Sequence, residues 1–321
     1  MVVYLITGGA GFIGSHLCER LLIGGDRVIA IDNLSTGAFQ NVAKLKTHPN
    51  FSIFVGDIRD QKLLEDLVRQ SDVIFHLAAA VGVRLIIERP VETLESNIMG
   101  THAVLSLAAK YNRKTLVTST SEVYGKSTKE SFSEDDDSVL GPSLRKRWSY
   151  ACSKLADEFL ALAFFEEKGL PVIIARLFNT VGQRQTGRYG MVLPTFVRQA
   201  LAGEPITVYG TGKQSRCFIH VSEVVEAMLK LLHHDKAIGQ IINLGSTTPI
   251  TIAKLAQTVK EITGSNSEIV TIPYDFAYQT GFEDMERRVP DINKARDLIG
   301  FNPRKSIRDI IKDLIAERKS E

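Results

Sequence analysis

Three glycines with the spacing Gly8-x-x-Gly11-x-x-Gly14 directly follow an apolar run over residues 2–6, and this feature constrains the sequence more than any other. A buried strand that enters such a turn, followed by the helix predicted over residues 15–23, is typical of a dinucleotide-binding βα unit. Gly8 permits the tight turn, Gly11 lets the backbone approach a pyrophosphate, and Gly14 lets the helix and the strand pack closely. The N–H groups at the start of the helix would then face the phosphates.

An acidic residue lies where the ribose of a dinucleotide is expected. A second apolar strand over residues 27–31 ends in Asp32, which lies 18 residues beyond Gly14. A carboxylate at this position accepts hydrogen bonds from both ribose hydroxyls and repels a 2′-phosphate, so NAD is favoured over NADP. The alternative is an ordinary glycine turn with a solvated aspartate at the end of a strand.

The composition of the 321-residue chain excludes several classes of protein. A hydrophobic content of 44% and a charged content of 24% are typical of a globular protein, and a net charge of +2 indicates neither a nucleic-acid surface nor a polybasic membrane anchor. Three scattered cysteines predict no disulfide framework and no metal cluster. We expect a cytoplasmic protein without a membrane segment, because no apolar run approaches a membrane span and no signal peptide precedes the first strand.

Strands and helices alternate through the first half of the chain, as a parallel doubly wound sheet requires. The pattern predicts further strands over residues 51–55, 73–78, 115–120 and 171–177, and helices over 61–69, 91–111 and 148–167. The second half has shorter segments, with helices over 191–202, 222–232, 251–262 and 306–317 and strands over 206–209 and 241–244. We predict an α/β fold with a Rossmann-type NAD-binding domain over residues 1–180. A smaller, mixed α/β substrate-binding region over residues 181–321 would be interleaved with it.

Tyr150 and Lys154 are four residues apart, which places a phenol and an ammonium on one face of the predicted helix. Lys154 is expected to lower the pKa of Tyr150 electrostatically, so that a phenolate forms near neutral pH. The same ammonium can hold the nicotinamide ribose. Thr120 ends the preceding strand and can place its hydroxyl beside Tyr150. The alternative is a surface tyrosine and lysine on a solvated helix.

These motifs resemble, in their order along nearly the whole chain, the extended short-chain dehydrogenase/reductases. The relevant members are the NAD-dependent nucleotide-sugar epimerases, dehydratases and decarboxylases. The resemblance rests on residues 7–14, Asp32, 56–58, 76–79, 97–101, 119–125, Tyr150 with Lys154, 176–179 and 214–218.

The resemblance implies a role for each catalytic residue. Tyr150 would remove the proton from a sugar 4-hydroxyl while a hydride passes to NAD, Thr120 would bind the same oxygen, and Lys154 would tune the tyrosine. Asp57 and Ile58 would flank the adenine. The remaining cofactor contacts implied are Phe12, Ile13, Asn33, Leu77, Ala78, Ala79 and Asn97.

The resemblance also implies substrate contacts and an assembly. Asn179 and Arg216 would contact the diphosphate of a nucleotide sugar, expected to be UDP-linked, since guanidinium groups suit phosphate oxygens. Arg288 falls where many relatives carry another diphosphate-binding arginine, although Arg287 and Arg288 could be a solvated charge pair. Relatives are often dimers through the helices equivalent to 91–111 and 148–167, so a homodimer is expected.

The fate of the 4-keto intermediate distinguishes three reactions. A 4-epimerase needs no acid or base at C5, so the carboxylate of Glu122 is informative. Glucose-type 4,6-dehydratases usually carry an aspartate where this chain has Ser121, whereas mannose-type dehydratases share Thr-Ser-Glu. Residues 120–122 also resemble the decarboxylases that act on UDP-glucuronate.

Two further features favour decarboxylation. Residues 147–152 resemble UDP-apiose/xylose synthase around its tyrosine. The acidic insertion at 134–137, with Gly141-Pro142 and the basic residues 145–147, has a counterpart in the decarboxylase of the aminoarabinose pathway. Ser121 and Arg147 are the candidates to hold the substrate carboxylate, although Arg147 could be a solvated cation at the helix start.

UDP-glucuronate decarboxylation is therefore the preferred hypothesis. Once C4 is a ketone, C6 belongs to a β-keto acid and leaves as carbon dioxide without a metal. The alternatives are a UDP-sugar 4-epimerase (of UDP-glucose/galactose or UDP-glucuronate), a nucleotide-sugar 4,6-dehydratase and, outside this class, a non-catalytic NAD-sensing regulator. The complete set of Thr120, Tyr150 and Lys154 argues against the regulator.

Overall fold

A seven-stranded parallel sheet forms the centre of the protein in the computed structural model, which describes residues 1–82, 86, 88–187, 191–273 and 285–320. Its strands lie in the order β11-β6-β5-β4-β1-β2-β3. They are β1 (Val3–Thr7), β2 (Arg27–Asp32), β3 (Phe51–Val55), β4 (Val73–His76), β5 (Lys114–Thr120), β6 (Val172–Leu177) and β11 (Gln240–Leu244). The predicted doubly wound sheet is confirmed.

Helices cover both faces of this sheet, which keeps its strands buried on both sides. One apolar layer holds residues of α1 and α6, and the other holds residues of α2, α3 and α4. The described helices are α1 (Phe12–Ile23), α2 (Gln61–Arg69), α3 (Pro90–Lys110), α4 (Ser149–Lys168), α5 (Val192–Ala202), α6 (Val221–Leu232), α7 (Ile252–Thr263), α8 (Asn293–Ile299) and α9 (Ile307–Ser320).

The strand order reverses at β1, which pairs with β2 on one side and with β4 on the other. Thr7 is aligned with Ile31 of β2 and with His76 of β4, so the carboxyl ends of the three strands lie at one edge. Ligands of open α/β sheets bind in the crevice at such a reversal point. The glycine turn and Asp32 therefore lie at the expected place.

The second half of the chain adds a strand to the main sheet and also forms small sheets of its own. β11 joins the main sheet beside β6, although it follows residue 181. Small sheets β10-β7, β12-β9-β14 and β13-β8 form from β7 (Thr180–Val181), β8 (Ile206–Tyr209), β9 (Ser215–Cys217), β10 (Ile219–His220), β12 (Pro249–Thr251), β13 (Ile269–Ile272) and β14 (Arg287–Arg288). Residues of α5, α7 and α9 enclose a separate apolar cluster. The division at residue 180 stays a prediction, with the chain returning to the main sheet beyond it.

Most predicted elements lie within one or two residues of the observed ones, and the larger differences have physical reasons. α1 begins at Phe12 rather than at residue 15, so Gly14 lies inside its first turn. The strand β4 ends at His76 because the Ala78 N–H turns to the Thr7 hydroxyl at 3.1 Å instead of continuing a ladder. None of the described helices is long and apolar enough to cross a membrane.

Candidate active site

The glycine turn packs against the loop that follows β4 with no room for a side chain. Gly8 has φ +72°, and a Cβ placed on it would lie 2.9 Å from the Ala78 nitrogen. A Cβ on Gly14 would lie 2.1 Å from the Gly8 carbonyl oxygen. Gly11 is the residue before α1 and has no side chain that could cap the helix. The N–H groups of the first turn, at Phe12 and Ile13, therefore suit a pyrophosphate, and the turn fits NAD.

Asp32 lies at the end of β2, beside the glycine turn, as predicted. Its Oδ2 accepts a hydrogen bond from the Ala10 N–H at 2.9 Å, and its Oδ1 accepts one from the Leu34 N–H at 2.8 Å. Burial raises the pKa of this carboxyl, against the lowering effect of these N–H groups. Asp32 therefore also fixes the turn, a role that the sequence analysis did not anticipate, and its contact with the ribose stays a prediction.

The residues expected around the adenine form a polar pair and an apolar contact. Asn33 donates a hydrogen bond to Asp57 Oδ2 at 3.3 Å. Hydrogen bonds from Arg59 hold the pKa of Asp57 at about 2, so this carboxylate is ionised. Ile58 packs on α3, where a Cβ on Gly100 would lie 2.6 Å from its Cδ1 atom. Contacts of these residues with adenine remain a prediction.

Asn97 is expected to touch the cofactor, but its amide holds neighbouring protein segments. Its oxygen accepts a hydrogen bond from the Ala80 N–H at 2.8 Å, and its nitrogen donates one to the Ser153 hydroxyl at 3.0 Å. Asn97 thus joins α3, the loop with Leu77 and Ala79, and α4. This arrangement positions the wall of the nucleotide crevice.

Tyr150 lies buried at the start of α4, hydrogen-bonded to the Thr120 hydroxyl at the end of β5. The expectation of a lowered pKa is wrong for the protein alone. Burial raises the pKa of Tyr150, and the carboxylates of Glu122 and Asp157 raise it further. The Thr120 hydroxyl and the Arg147 guanidinium oppose them.

Lys154 lies on the same helix with its ammonium paired to a carboxylate. Its Nζ is 2.6 Å from Oδ2 of Asp157, and the two side chains are 3% and 1% exposed. This pair explains why Lys154 does not act on Tyr150 as an unpaired cation. Sequence reasoning missed Asp157, although its position three residues after Lys154 is a recognisable helical pair.

Glu122 is surrounded by three guanidinium groups. Arg147 forms a two-point ion pair with it, in which Nη2 lies 3.0 Å from Oε1, and Arg288 Nη1 lies 3.3 Å from the same oxygen. Burial alone would raise the pKa of Glu122, but Arg147, Arg288 and Arg216 lower it to about 2. Arg216 is aligned with Arg288 across the β9–β14 pair. Guanidinium groups gathered in this way suit an anionic ligand.

The structure excludes the solvated alternatives in this cluster, because the buried Arg147 guanidinium pairs with Glu122. A contact of Arg147 or Ser121 with the substrate carboxylate stays a prediction. Arg288, expected at the substrate diphosphate, also lies against Glu122. Ser121 is buried beside Glu122. The buried Asn179 amide oxygen has no hydrogen-bond partner among the residues that the structure describes, and its expected contact with the substrate diphosphate stays a prediction.

Phe132 connects the chain segment that carries Glu122 with the segment that carries Arg288. The sequence analysis did not identify this residue. Its ring stacks on Tyr124, two residues beyond Glu122 in the chain, with 4.8 Å between the ring centroids. Its N–H donates to the Val289 carbonyl at 2.8 Å, and its carbonyl accepts the Asp291 N–H at 2.8 Å. Phe132 therefore fixes the backbone around Arg288 relative to Glu122.

Comparisons with known proteins agree with this geometry. The family model described as GDP-mannose 4,6 dehydratase matches residues 5–314. The UDP-N-acetyl-alpha-D-glucosaminuronate decarboxylase of Bacillus cytotoxicus is 43% identical over 97% of this chain and 96% of the relative. UDP-glucuronic acid decarboxylase 1 of Danio rerio is 37% identical over 93% of this chain and 68% of the relative.

A solved structure shows the same fold with its ligands. The UDP-glucuronic acid 4-epimerase of Bacillus cereus, in complex with UDP-glucuronic acid and NAD, has a TM-score of 0.89 and 28% identity. The match covers 99% of each chain. The predicted resemblance is confirmed, and the chain belongs to the GDP-mannose 4,6-dehydratase family of NAD-dependent nucleotide-sugar enzymes.

Proposed function

We propose that this enzyme decarboxylates a UDP-linked hexuronate through oxidation at C4. The observation that carries the proposal is the cluster of Glu122 with Arg147 and Arg288, in which Glu122 is close enough to Tyr150 to raise its pKa. Such a cluster suits a substrate with a carboxylate at C6. Two relatives that are decarboxylases, those of Bacillus cytotoxicus and Danio rerio, support the same reaction.

The first step uses the residues on β5 and α4. Tyr150 removes the proton of the 4-hydroxyl, and Thr120, which is hydrogen-bonded to the phenol, is placed to bind the same oxygen. NAD held at the glycine turn would supply the acceptor for the C4 hydride and the donor for its return. The carboxylates of Glu122 and Asp157 disfavour a negatively charged phenolate at Tyr150. Because Glu122 is paired with arginines and Asp157 with Lys154, this unfavourable effect is reduced.

The second step uses the arginine cluster. With C4 a ketone, the C5–C6 bond breaks, carbon dioxide leaves, and the electron pair remains on the enolate of C4 and C5. Positive charge from Arg288 and Arg216 stabilises both the carboxylate and the enolate. A proton from solvent then completes C5, so each turnover consumes one proton. Glu122, ionised because its pKa is about 2, orients the guanidinium groups and does not supply this proton at neutral pH.

The substrate to test first is UDP-N-acetylglucosaminuronate. The relative named for this substrate is 43% identical to this chain, and the alignment covers nearly the full length of both proteins. UDP-glucuronate is the second. The enzyme is incubated with each and with UDP-glucose, and products are followed by mass spectrometry. Carbon dioxide and a UDP-linked pentose product support the proposal. A product of unchanged mass indicates a 4-epimerase, and loss of water indicates a 4,6-dehydratase.

We also propose a cytoplasmic homodimer. Val91, Met99 and Phe159 on α3 and α4 are 66%, 60% and 68% exposed, and such apolar side chains favour burial against a second copy. The cysteines Cys18, Cys152 and Cys217 are free, in keeping with a reducing compartment. Sedimentation equilibrium tests the dimer, and Phe159→Glu should shift it to monomer.

A further inference from the structure

Lys154 and Asp157 form a buried ion pair one helical turn beyond Tyr150. The pair is closed at 2.6 Å and nearly inaccessible to solvent. Removing one partner of a buried pair leaves a charge without compensation, so each group depends strongly on the other. Asp157 therefore determines where the Lys154 ammonium lies.

A chain of hydrogen bonds runs to this pair from the glycine turn. Thr7 Oγ1 accepts the Ala78 N–H at 3.1 Å and lies 2.8 Å from His76 Nδ1. Burial and the nearby Lys154 lower the pKa of His76 to about 3, so the imidazole is neutral at neutral pH. One ring nitrogen then donates a hydrogen bond and the other accepts one.

The chain continues through α3, where His76 Nε2 lies 2.9 Å from the Thr101 hydroxyl oxygen. This hydroxyl lowers the pKa of the Asp157 carboxyl against the larger raising effect of burial. Asp157 Oδ1 has no hydrogen-bond partner among the residues that the structure describes, so the ion pair with Lys154 is the contact that holds this carboxylate.

We propose that Asp157 is a positioning residue, which fixes the Lys154 ammonium one helical turn from Tyr150 and is linked electrostatically to the glycine turn through Thr101 and His76. This inference rests on the proposed role of Tyr150 as the base. It predicts that cofactor binding and the hydride step depend on a residue that touches neither the cofactor nor the substrate.

The test compares Asp157→Asn with Asp297→Asn, the same change at an exposed position on α8. NAD affinity is measured by isothermal titration calorimetry, and formation of reduced cofactor is followed by single-turnover absorbance across pH. The pH profile is set by Tyr150 and by the charged groups near it or near the Lys154–Asp157 ion pair. These charged groups are Glu122, Arg147, Asp157, Glu158 and Lys154.

Asp157→Asn removes a negative charge that raises the pKa of Tyr150, so the acid limb of the profile should move to lower pH by up to about one unit. The plateau rate should fall by about tenfold or more because the ammonium is no longer held in place. The Kd for NAD should rise by about two- to tenfold, the effect of one hydrogen bond. A purely structural role would lower the unfolding midpoint and leave the acid limb unmoved.

The inference is overturned if Asp157→Asn matches Asp297→Asn in NAD affinity and in the acid limb. If Asp157→Asn does not fold, Thr101→Val is compared with Thr258→Val, a buried helical threonine in α7. Weaker NAD binding in Thr101→Val alone supports the inference, and equal binding overturns it. If the unaltered enzyme turns over no UDP-hexuronate, the proposed function fails, while the NAD affinities still decide the role of Asp157.

Discussion

Arg288 Nη1 lies 3.3 Å from Glu122 Oε1 across 166 residues of chain, and this contact joins the strand β14 to the end of β5. Arg147 approaches Glu122 from the start of α4. The three side chains come from three different parts of the fold. Their meeting point beside Tyr150 makes the site suitable for an anionic sugar.

The Glu122 carboxylate should make stability depend on pH. Its pKa in the folded protein is about 2, below the unfolded value of 4.5, so its contribution is complete above pH 4.5 and is lost as pH falls towards 2. Arg147→Met removes its closest cation and should lower the free energy of unfolding at pH 7 by about 3–5 kcal/mol. Urea denaturation at pH 7 and pH 4 measures both effects. Equal stability of Arg147→Met and the unaltered protein at pH 7 contradicts the buried pair.

Tyr150→Phe removes the phenol and keeps the ring, so the fold should survive. Turnover should fall by at least about a hundredfold because no other group accepts the proton of the 4-hydroxyl. Steady-state kinetics with circular dichroism as the folding control checks this. Near-normal turnover would show that Tyr150 is not the base.

The crowding at Gly8 predicts a specific loss of NAD binding. Gly8 and Gly25 both have positive φ, +72° and +85°, but a Cβ at Gly25 would meet nothing within 4 Å. Both Gly→Ala variants carry the backbone cost of about 1–2 kcal/mol, whereas Gly8→Ala also displaces the loop at Ala78. Calorimetry should show weaker NAD binding for Gly8→Ala only. Equal NAD affinity in the two variants contradicts the placement of the turn at the cofactor.

Asp32→Asn keeps the size of the side chain and removes its charge. It should weaken NAD binding by about 1–3 kcal/mol, through lost charge-assisted hydrogen bonds to the ribose. It should also reduce the preference for NAD over NADP, because the repulsion of a 2′-phosphate is lost. Calorimetric titration of both cofactors tests this. Tighter binding of NADP than NAD by the unaltered protein contradicts the assignment.

The sequence predicts those parts of the site that are set by local spacing. The glycine turn follows a strand, and Tyr150 and Lys154 share a helix face, so both could be placed without a structure. The placement of Arg216 and Arg288 at Glu122 depends on β9 and β14, which have three and two residues. Strands this short carry no readable periodicity, so their register, and with it the position of Arg288, cannot be inferred from the sequence.

Charge balance around Tyr150 is the second feature that the sequence does not predict. The spacing to Lys154 indicates a nearby cation, but the effect on the phenol depends on burial and on Asp157 and Glu122. These contributions are set by tertiary packing, and they reverse the expected direction of the pKa shift.

The release of carbon dioxide from a UDP-hexuronate in deuterated water tests the central claim most directly. UDP-N-acetylglucosaminuronate and UDP-glucuronate are each incubated with the enzyme, and the product is analysed by mass spectrometry and NMR. The account predicts carbon dioxide and one deuterium at C5 of the UDP-linked product. A product that retains C6, with no carbon dioxide from either hexuronate, would contradict it.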